Sequence, residues 1–386
     1  MKRILAVLVV FSLLMTLCAC GKAQQESSDA DAETSAPELK DEDITIEQQD
    51  FSILDEDGTV LIRLTYDLAQ LPETTESYQK INETLRAACG EFQHVIDEVQ
   101  EYVESARQYV QTYTGTDELG SSYFNTCSVS VSTNENGVLS LAFSTEWFMG
   151  GVYNRNHSGM TFDLRTGDEM TLGDLSSLDD AVVLEYLKAC IHKYVIENPD
   201  RYWWDNVHES VEDYTLDQLI GGQQGPVRFY LQGGEITLCI STYELAPGAG
   251  GSMEIPTGLY AEQFHSEGEM DVNEAILCRD GTWWYGMYPT GEWMGIFEPQ
   301  LLLRDDSTCR VTHAYRDSDI IDCVDGTYEL DENDVLTIYY KDGNDADCVY
   351  QYQVTLIGAG LQLLQLGEDA FRNGYEAGTV LSFFRR

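Results

Sequence analysis

Basic residues are scarce: 22 Lys and Arg stand against 67 Asp and Glu, giving a net charge of -45 over 386 residues. A field of that sign repels nucleic acid and anionic glycopolymers and favours cationic proteins, peptides or divalent ions, besides keeping the chain soluble. Catalytic signatures are equally sparse. There is no Gly-x-Ser-x-Gly elbow, no His-Glu-x-x-His and no phosphate loop, and "HESVE" at His208–Glu212 has the wrong second ligand for a helical zinc site. The six histidines are scattered, and His94 and His192 fall on expected helices with no His or Cys nearby at ligand spacing. Acidic turns such as "DEDG", "DENDV" and "DGNDAD" lack the twelve-residue calcium loop with its closing glutamate. A glycosidase needs only two carboxylates across a cleft, and with 67 available the sequence selects none. The expectation is a protein that is not an enzyme and uses neither metal nor cofactor.

The N-terminus sets the expected location. Lys2 and Arg3 precede an apolar run from Ile4 to Leu17, too short to span a bilayer as a mature helix and suited to a secretory signal over 1–19. Leu17, Cys18, Ala19 and Cys20 then resemble the lipobox of bacterial lipoproteins. Cys20 is the expected lipidation site, which tethers the chain by acyl groups such as palmitate to the outer face of the bacterial cytoplasmic membrane. Residues 20–44 are Gln, Ser, Ala, Asp and Glu with almost nothing apolar, a composition for a disordered acidic tether of about 27 Å root-mean-square reach. Eight further cysteines match no metal spacing, and an exported chain permits disulfides, with Cys309 and Cys323 the favoured pair.

Hydrophobic patterning divides the remainder in two. Over 45–270, strand-like alternation at Asp50–Tyr66 surrounds a turn at Asp55–Gly58. A helical stripe follows from Tyr78 to Tyr109, as one helix or two broken near Gly90. The Asn136-Gly137 pair joins two alternating strands, as Gly233-Gly234 does later. A second helix is capped by Ser177 with Asp180, buries Val183, Leu187 and Ile191, and stops at Asn198-Pro199. The predicted fold is α+β, an antiparallel sheet with two main helices on one face. From 275 to 386 short strands alternate with turns about every ten residues, which predicts a small all-β up-and-down barrel.

"GGVYNRNHSGMTFDLRTGDEMTL", from Gly150 to Leu172, concentrates glycines, a histidine and carboxylates. Gly150 and Gly151 end a strand, Asp163 and Asp168 are expected turn formers around Thr166-Gly167, and His157 is a polar loop residue. Aromatic clusters are the stronger signal. In Tyr202, Trp203 and Trp204, three adjacent rings in a loop cannot all face inward, so one or two are free to stack on a sugar or a partner side chain. In "WWY" at Trp283–Tyr285, strand alternation turns Trp283 and Tyr285 one way and Trp284 the other, toward a barrel core.

Four segments in a fixed order carry a resemblance: "YQKINETL" at Tyr78–Leu85, "NENGVLSLAF" at Asn134–Phe143, Gly150 through "FDLRTGDEMTLGDL" to Leu175, and "STYELAPGAGGSMEIP" at Ser241–Pro256. Residues 45–260 thereby resemble the paired extracytoplasmic domain of RsiV-type lysozyme-sensing anti-sigma factors and PdaC-type peptidoglycan deacetylases. The chain departs from that pattern at Val152-Tyr153, where Ala-His is frequent, and at Ser241, where an aromatic residue is common. "GTWW" at Gly281–Trp284 and "GTYEL" at Gly326–Leu330 resemble lipocalin-like barrels. The resemblance implies a surface-held binding or sensing module for a lysozyme-like cationic protein or peptidoglycan. Gly150, Gly151, Tyr153, His157, Tyr202, Trp203, Trp204 and Tyr243 are the candidate contacts. Two alternatives remain open, a peptidoglycan-modifying enzyme and a carrier whose barrel holds a small apolar ligand.

Overall fold

Asn136 (φ +54°) and Gly137 (φ +78°) turn the chain between β3 (Tyr123–Glu135) and β4 (Val138–Phe148), the longest pairing of the first sheet. The computed structural model describes residues 39–113, 115, 121–219, 227–264, 284–287, 297–315, 321–341, 346–357, 360–367 and 380–385. The expected signal, Cys20 and most of the tether lie outside them. In the first sheet β1 (Thr45–Leu54), β2 (Val60–Gln70), β3, β4 and β5 (Asn154–Asp163) lie side by side in chain order. All neighbours are antiparallel except β2 and β3, which run parallel. A parallel pair needs a crossover. It is supplied by α1 (Glu76–Val99), a tight turn at Gln100–Tyr102 and α2 (Val103–Thr112). The helix break expected near Gly90 falls ten residues later, because α1 continues through that glycine.

Tyr78, Ile81 and Leu85 of α1 pack on Leu139, Leu141 and Phe162 of the sheet. Leu39 and Ile44 join the same core, and the Leu39 carbonyl accepts a bond from the Asn134 side chain at 2.9 Å. The end of the predicted tether is therefore docked: its only two large apolar residues near the first strand find a hydrophobic surface.

A second sheet of β6 (Val227–Gln232), β7 (Glu235–Ile240) and β8 (Met253–Tyr260) is antiparallel throughout. It shares a core with α3 (Asp180–Glu197), α4 (Val207–Glu212) and α5 (Leu216–Leu219) through Leu187, Ile191, Val211, Leu238 and Ile240. The α3 cap is Asp179, whose carboxylate accepts from Ala181 N at 2.9 Å, rather than Ser177. Asn198 ends the helix as expected, its side chain donating to the Tyr194 carbonyl at 2.8 Å.

The two sheets meet where β6 crosses β5. A Cβ on Gly159 would lie 2.2 Å from the Phe229 carbonyl oxygen, so only glycine admits the crossing strand. Buried hydroxyls then bond the two sheets at the junction. Ser140 Oγ accepts from Leu231 N at 2.8 Å and bonds Thr161 Oγ1 at 2.8 Å, while Thr133 Oγ1 donates to Leu231 O at 2.8 Å. Such groups are costly to bury unpaired.

The remaining strands are β9 (Trp284–Met287), β10 (Phe297–Leu303), β11 (Thr308–Tyr315), β12 (Ile321–Leu330), β13 (Val335–Lys341), β14 (Asp347–Ile357), β15 (Gly360–Gln365) and β16 (Val380–Arg385). Each pairs antiparallel with the next, and β16 pairs with β9 to close the barrel. Leu301, Leu303, Tyr328, Leu336, Ile338, Tyr352, Leu361 and Leu363 form its core. Trp283 lies outside the described residues, as do the side chains of Trp284 and Tyr285. Gln362 of β15 reaches the α+β part, donating to the Val182 carbonyl at 3.2 Å.

The expected Cys309–Cys323 disulfide is not formed. Cys309 is a buried free thiol, as are Cys127, Cys190 and Cys239. The register opposes Cys309 to Gly326 and Cys323 to Thr312. That is a stagger of about 10 Å along the ladder, beyond disulfide reach. Burial pushes the Cys309 thiol up to about 11, so it is also a poor nucleophile.

Candidate functional site

The loop between β4 and β5 holds the first candidate residues. Gly150 has φ +80° and Gly151 φ +151°, and a Cβ on Gly150 would meet the Tyr123 hydroxyl. This tight passage turns Val152 and Tyr153 outward. The next residue, Asn154, is buried, donates from Nδ2 to the Val152 carbonyl at 2.9 Å, and accepts from the Tyr243 hydroxyl at 2.8 Å. Tyr243 is held at φ +74°, where its ring packs against Gly248. A bulky residue at positive φ is strained unless its surroundings fix it. Its carbonyl accepts from Trp204 Nε1 at 3.3 Å, and Trp204 N donates to the Leu245 carbonyl at 3.1 Å.

Three loops distant in sequence are thereby connected into one ridge. Tyr153, Tyr243, Trp204 and Tyr202 expose 47%, 41%, 40% and 75% of their surface. Trp203 is turned inward: its indole donates to the Asn198 carbonyl at 2.9 Å and its ring meets Tyr194 edge-on. Arg201 braces this arrangement, stacking 5.5 Å from the Trp203 ring and donating to Tyr194 Oη at 3.0 Å and the Ser252 carbonyl at 2.9 Å. So two of the three adjacent rings face solvent and one plugs the core, as the crowding of that triplet requires. Beside the ridge, Glu146 pairs with Arg155. Burial raises the Glu146 carboxyl, but bonds from Tyr153 and Arg155 outweigh it and hold the group below the usual range.

His157 lies elsewhere, on β5 and not in a loop. It borders a cleft of about 230 Å³ where the face of β3, β4 and β5 meets the crossing second sheet. The floor is small and polar, with Ser128 opposite Ser144 and Ser144 opposite His157. Tyr230 and Glu254 form the wall, the Tyr230 hydroxyl donating to Glu254 Oε1 at 2.8 Å. His157 Nδ1 stands 3.6 Å from Glu254 Oε2. The turn reading holds for Asp163. Asp163 Oδ1 accepts from Arg165 N at 2.7 Å, whereas the Asp168 carboxylate pairs with Lys80 on α1.

A third cluster escaped the sequence. His192 Nδ1 and His208 Nδ1 are 2.8 Å apart, and His192 Nε2 lies 2.5 Å from Glu212 Oε1. The rings stack at 5.0 Å between centroids. One imidazole must donate and the other accept, with Glu212 taking the remaining N–H of His192. Because the two nitrogens of His192 point to different partners, the three side chains do not converge on one point. Among the described residues no group of three or more His, Cys, Asp or Glu is placed to hold a metal ion. The signal available was the four-residue spacing of His208 and Glu212, whose partner His192 on another helix is invisible locally. The acidic turn at Asp331 is likewise occupied by its own backbone, accepting from Asn333 N and Val335 N at 2.9 Å. No described helix is long and apolar enough to cross a membrane.

No family model matches this chain, and no curated protein does. Two similar solved structures are a DUF3298 family protein from Pseudomonas aeruginosa PAO1, at 12% identity and TM-score 0.37, and a member of the same family from Bacteroides fragilis NCTC 9343, at 18% identity and TM-score 0.38. Each alignment covers 55% of this chain, and it covers 89% of the first structure and 88% of the second.

Proposed function

We propose that this chain is a lipid-anchored binding or sensing module of the bacterial surface that grips a cationic extracellular protein, lysozyme-like in charge, through the aromatic ridge Tyr153–Tyr243–Trp204–Tyr202. The ridge is the observation that carries the reading: four large rings stay exposed although Tyr243 and Trp204 are fixed by hydrogen bonds to neighbouring loops and Tyr153 is held by Glu146 and Phe124. Rings held in place lose little entropy on binding, and aromatic anchors dominate interface energetics. A net charge of -45 draws a cationic partner to the surface and accelerates encounter. The module holds its partner and leaves covalent bonds intact. Cys20 carries the anchor, which mass spectrometry of the mature N-terminus tests.

Calorimetry with hen lysozyme at low and high salt tests the binding. Saturable binding that weakens with salt is expected; no heat in either buffer removes the lysozyme-like partner. Incubation with muropeptides separates the enzymatic alternative, since any mass change in the glycan contradicts a purely binding role. The same ridge can stack on sugar rings, and binding to isolated peptidoglycan without binding to lysozyme would transfer the role to the glycan.

A further inference from the structure

We propose that the serine-floored cleft bordered by His157 is a receptor for an arginine side chain, with the Glu254 carboxylate as its counter-ion. The identity of the macromolecule that presents the arginine rests on the binding reading above; the chemistry of the cleft stands by itself. The space is about 230 Å³, several times the ~30 Å³ a water occupies, and it opens between two sheets rather than within one. Its lining contains Glu254 and, among the described residues, no Lys or Arg. The floor is built from Ser128, Ser130 and Ser144, all small enough to leave the recess open.

Glu254 is the organising group. Its Oε1 is fixed by the Tyr230 hydroxyl at 2.8 Å, while Oε2 faces His157 at 3.6 Å, too long for a hydrogen bond. A carboxylate offers about four acceptor positions, so capacity remains on the side facing the cleft. The serine hydroxyls add acceptors, and Ser128 already turns its own proton toward the Ser144 carbonyl at 3.4 Å. An array of acceptors around one anionic group is complementary to guanidinium, which carries five donors and accepts nothing. Its planar, weakly hydrated fork suits a shallow cleft bordered by the Tyr230 ring better than a compact, strongly hydrated ammonium does.

The test titrates Nα-acetyl-L-arginine amide into the purified full chain and follows it by saturation-transfer NMR. Its neutral isostere, Nα-acetyl-L-citrulline amide, and N-acetylglucosamine serve as competitors. Binding of the arginine compound is expected, at least tenfold weaker for citrulline. It is expected to fall at least tenfold in Glu254→Gln, which keeps an acceptor for Tyr230, and in Ser130→Leu, which fills the floor without changing charge. Circular dichroism checks that both variants fold. No arginine binding, equal binding of citrulline, preference for the sugar, or indifference to both substitutions would overturn the proposal. Lysozyme calorimetry on the same variants keeps the two ideas apart. Lysozyme affinity unchanged in Glu254→Gln, with no arginine binding, sinks the cleft alone; arginine binding without lysozyme binding keeps the cleft and removes the named partner.

Discussion

The barrel and the α+β part solve the same burial problem differently. In the barrel every strand pairs with its successor, and alternate side chains such as Leu301, Leu336, Tyr352 and Leu363 fill the interior. The α+β part instead lays one sheet across another, joining β2 to β3 through two helices and hooking β6 onto β5 by hydroxyls. The serine-floored cleft arises there, at the crossing.

Substitutions can break or sharpen that contrast. The largest effect is expected at the crossing: Gly159→Val drives a side chain into the Phe229 carbonyl and should cost more than about 3 kcal/mol or prevent β6 from docking, seen as lost cooperativity in urea melts. In the barrel, Leu363→Ala should cost about 3 kcal/mol by cavity formation, while tryptophan fluorescence and lysozyme binding of the α+β part persist at low denaturant. Ser140→Ala strands the Leu231 N–H in a buried junction, for about 1–3 kcal/mol by the same melts.

A smaller, signed effect is expected from Glu244, whose carboxyl burial raises above its ordinary value of 4.5 despite the bond from Tyr214. Above that value and up to the raised one, the native state holds more protons than the unfolded chain, so this group's contribution to stability falls as pH rises. Glu244→Gln should flatten the stability profile between the two values and raise stability at neutral pH, measured by urea midpoints from pH 4 to 8.

What the sequence revealed follows the same division. Hairpins at Asn136-Gly137 and Gly233-Gly234, the stop at Asn198 and the barrel's alternation were legible because each depends on residues adjacent in the chain. The break between α1 and α2 was misplaced because glycine costs a helix only about 1 kcal/mol, which tertiary packing overrides. That one or two of Tyr202, Trp203 and Trp204 stay outside is legible in the triplet, but which ones is not, and the link from Trp204 through Tyr243 to the Tyr153 loop depends on Asn154, a residue with no distinguishing local pattern. Gly159 looked like any strand glycine until β6 was laid over it. His192 with His208, and His157 with Glu254, are meetings across elements that spacing along one element does not reveal.

Calorimetry of lysozyme against the unmodified chain and against Tyr202→Ala/Trp204→Ala is the most direct test of ridge-mediated recognition. Tyr202 is 75% exposed and Trp204 40%, so the double variant should melt nearly as the parent does. Loss of about 2 kcal/mol or more of binding free energy is the predicted result. An affinity equal to the parent's, in a folded double variant, would contradict it.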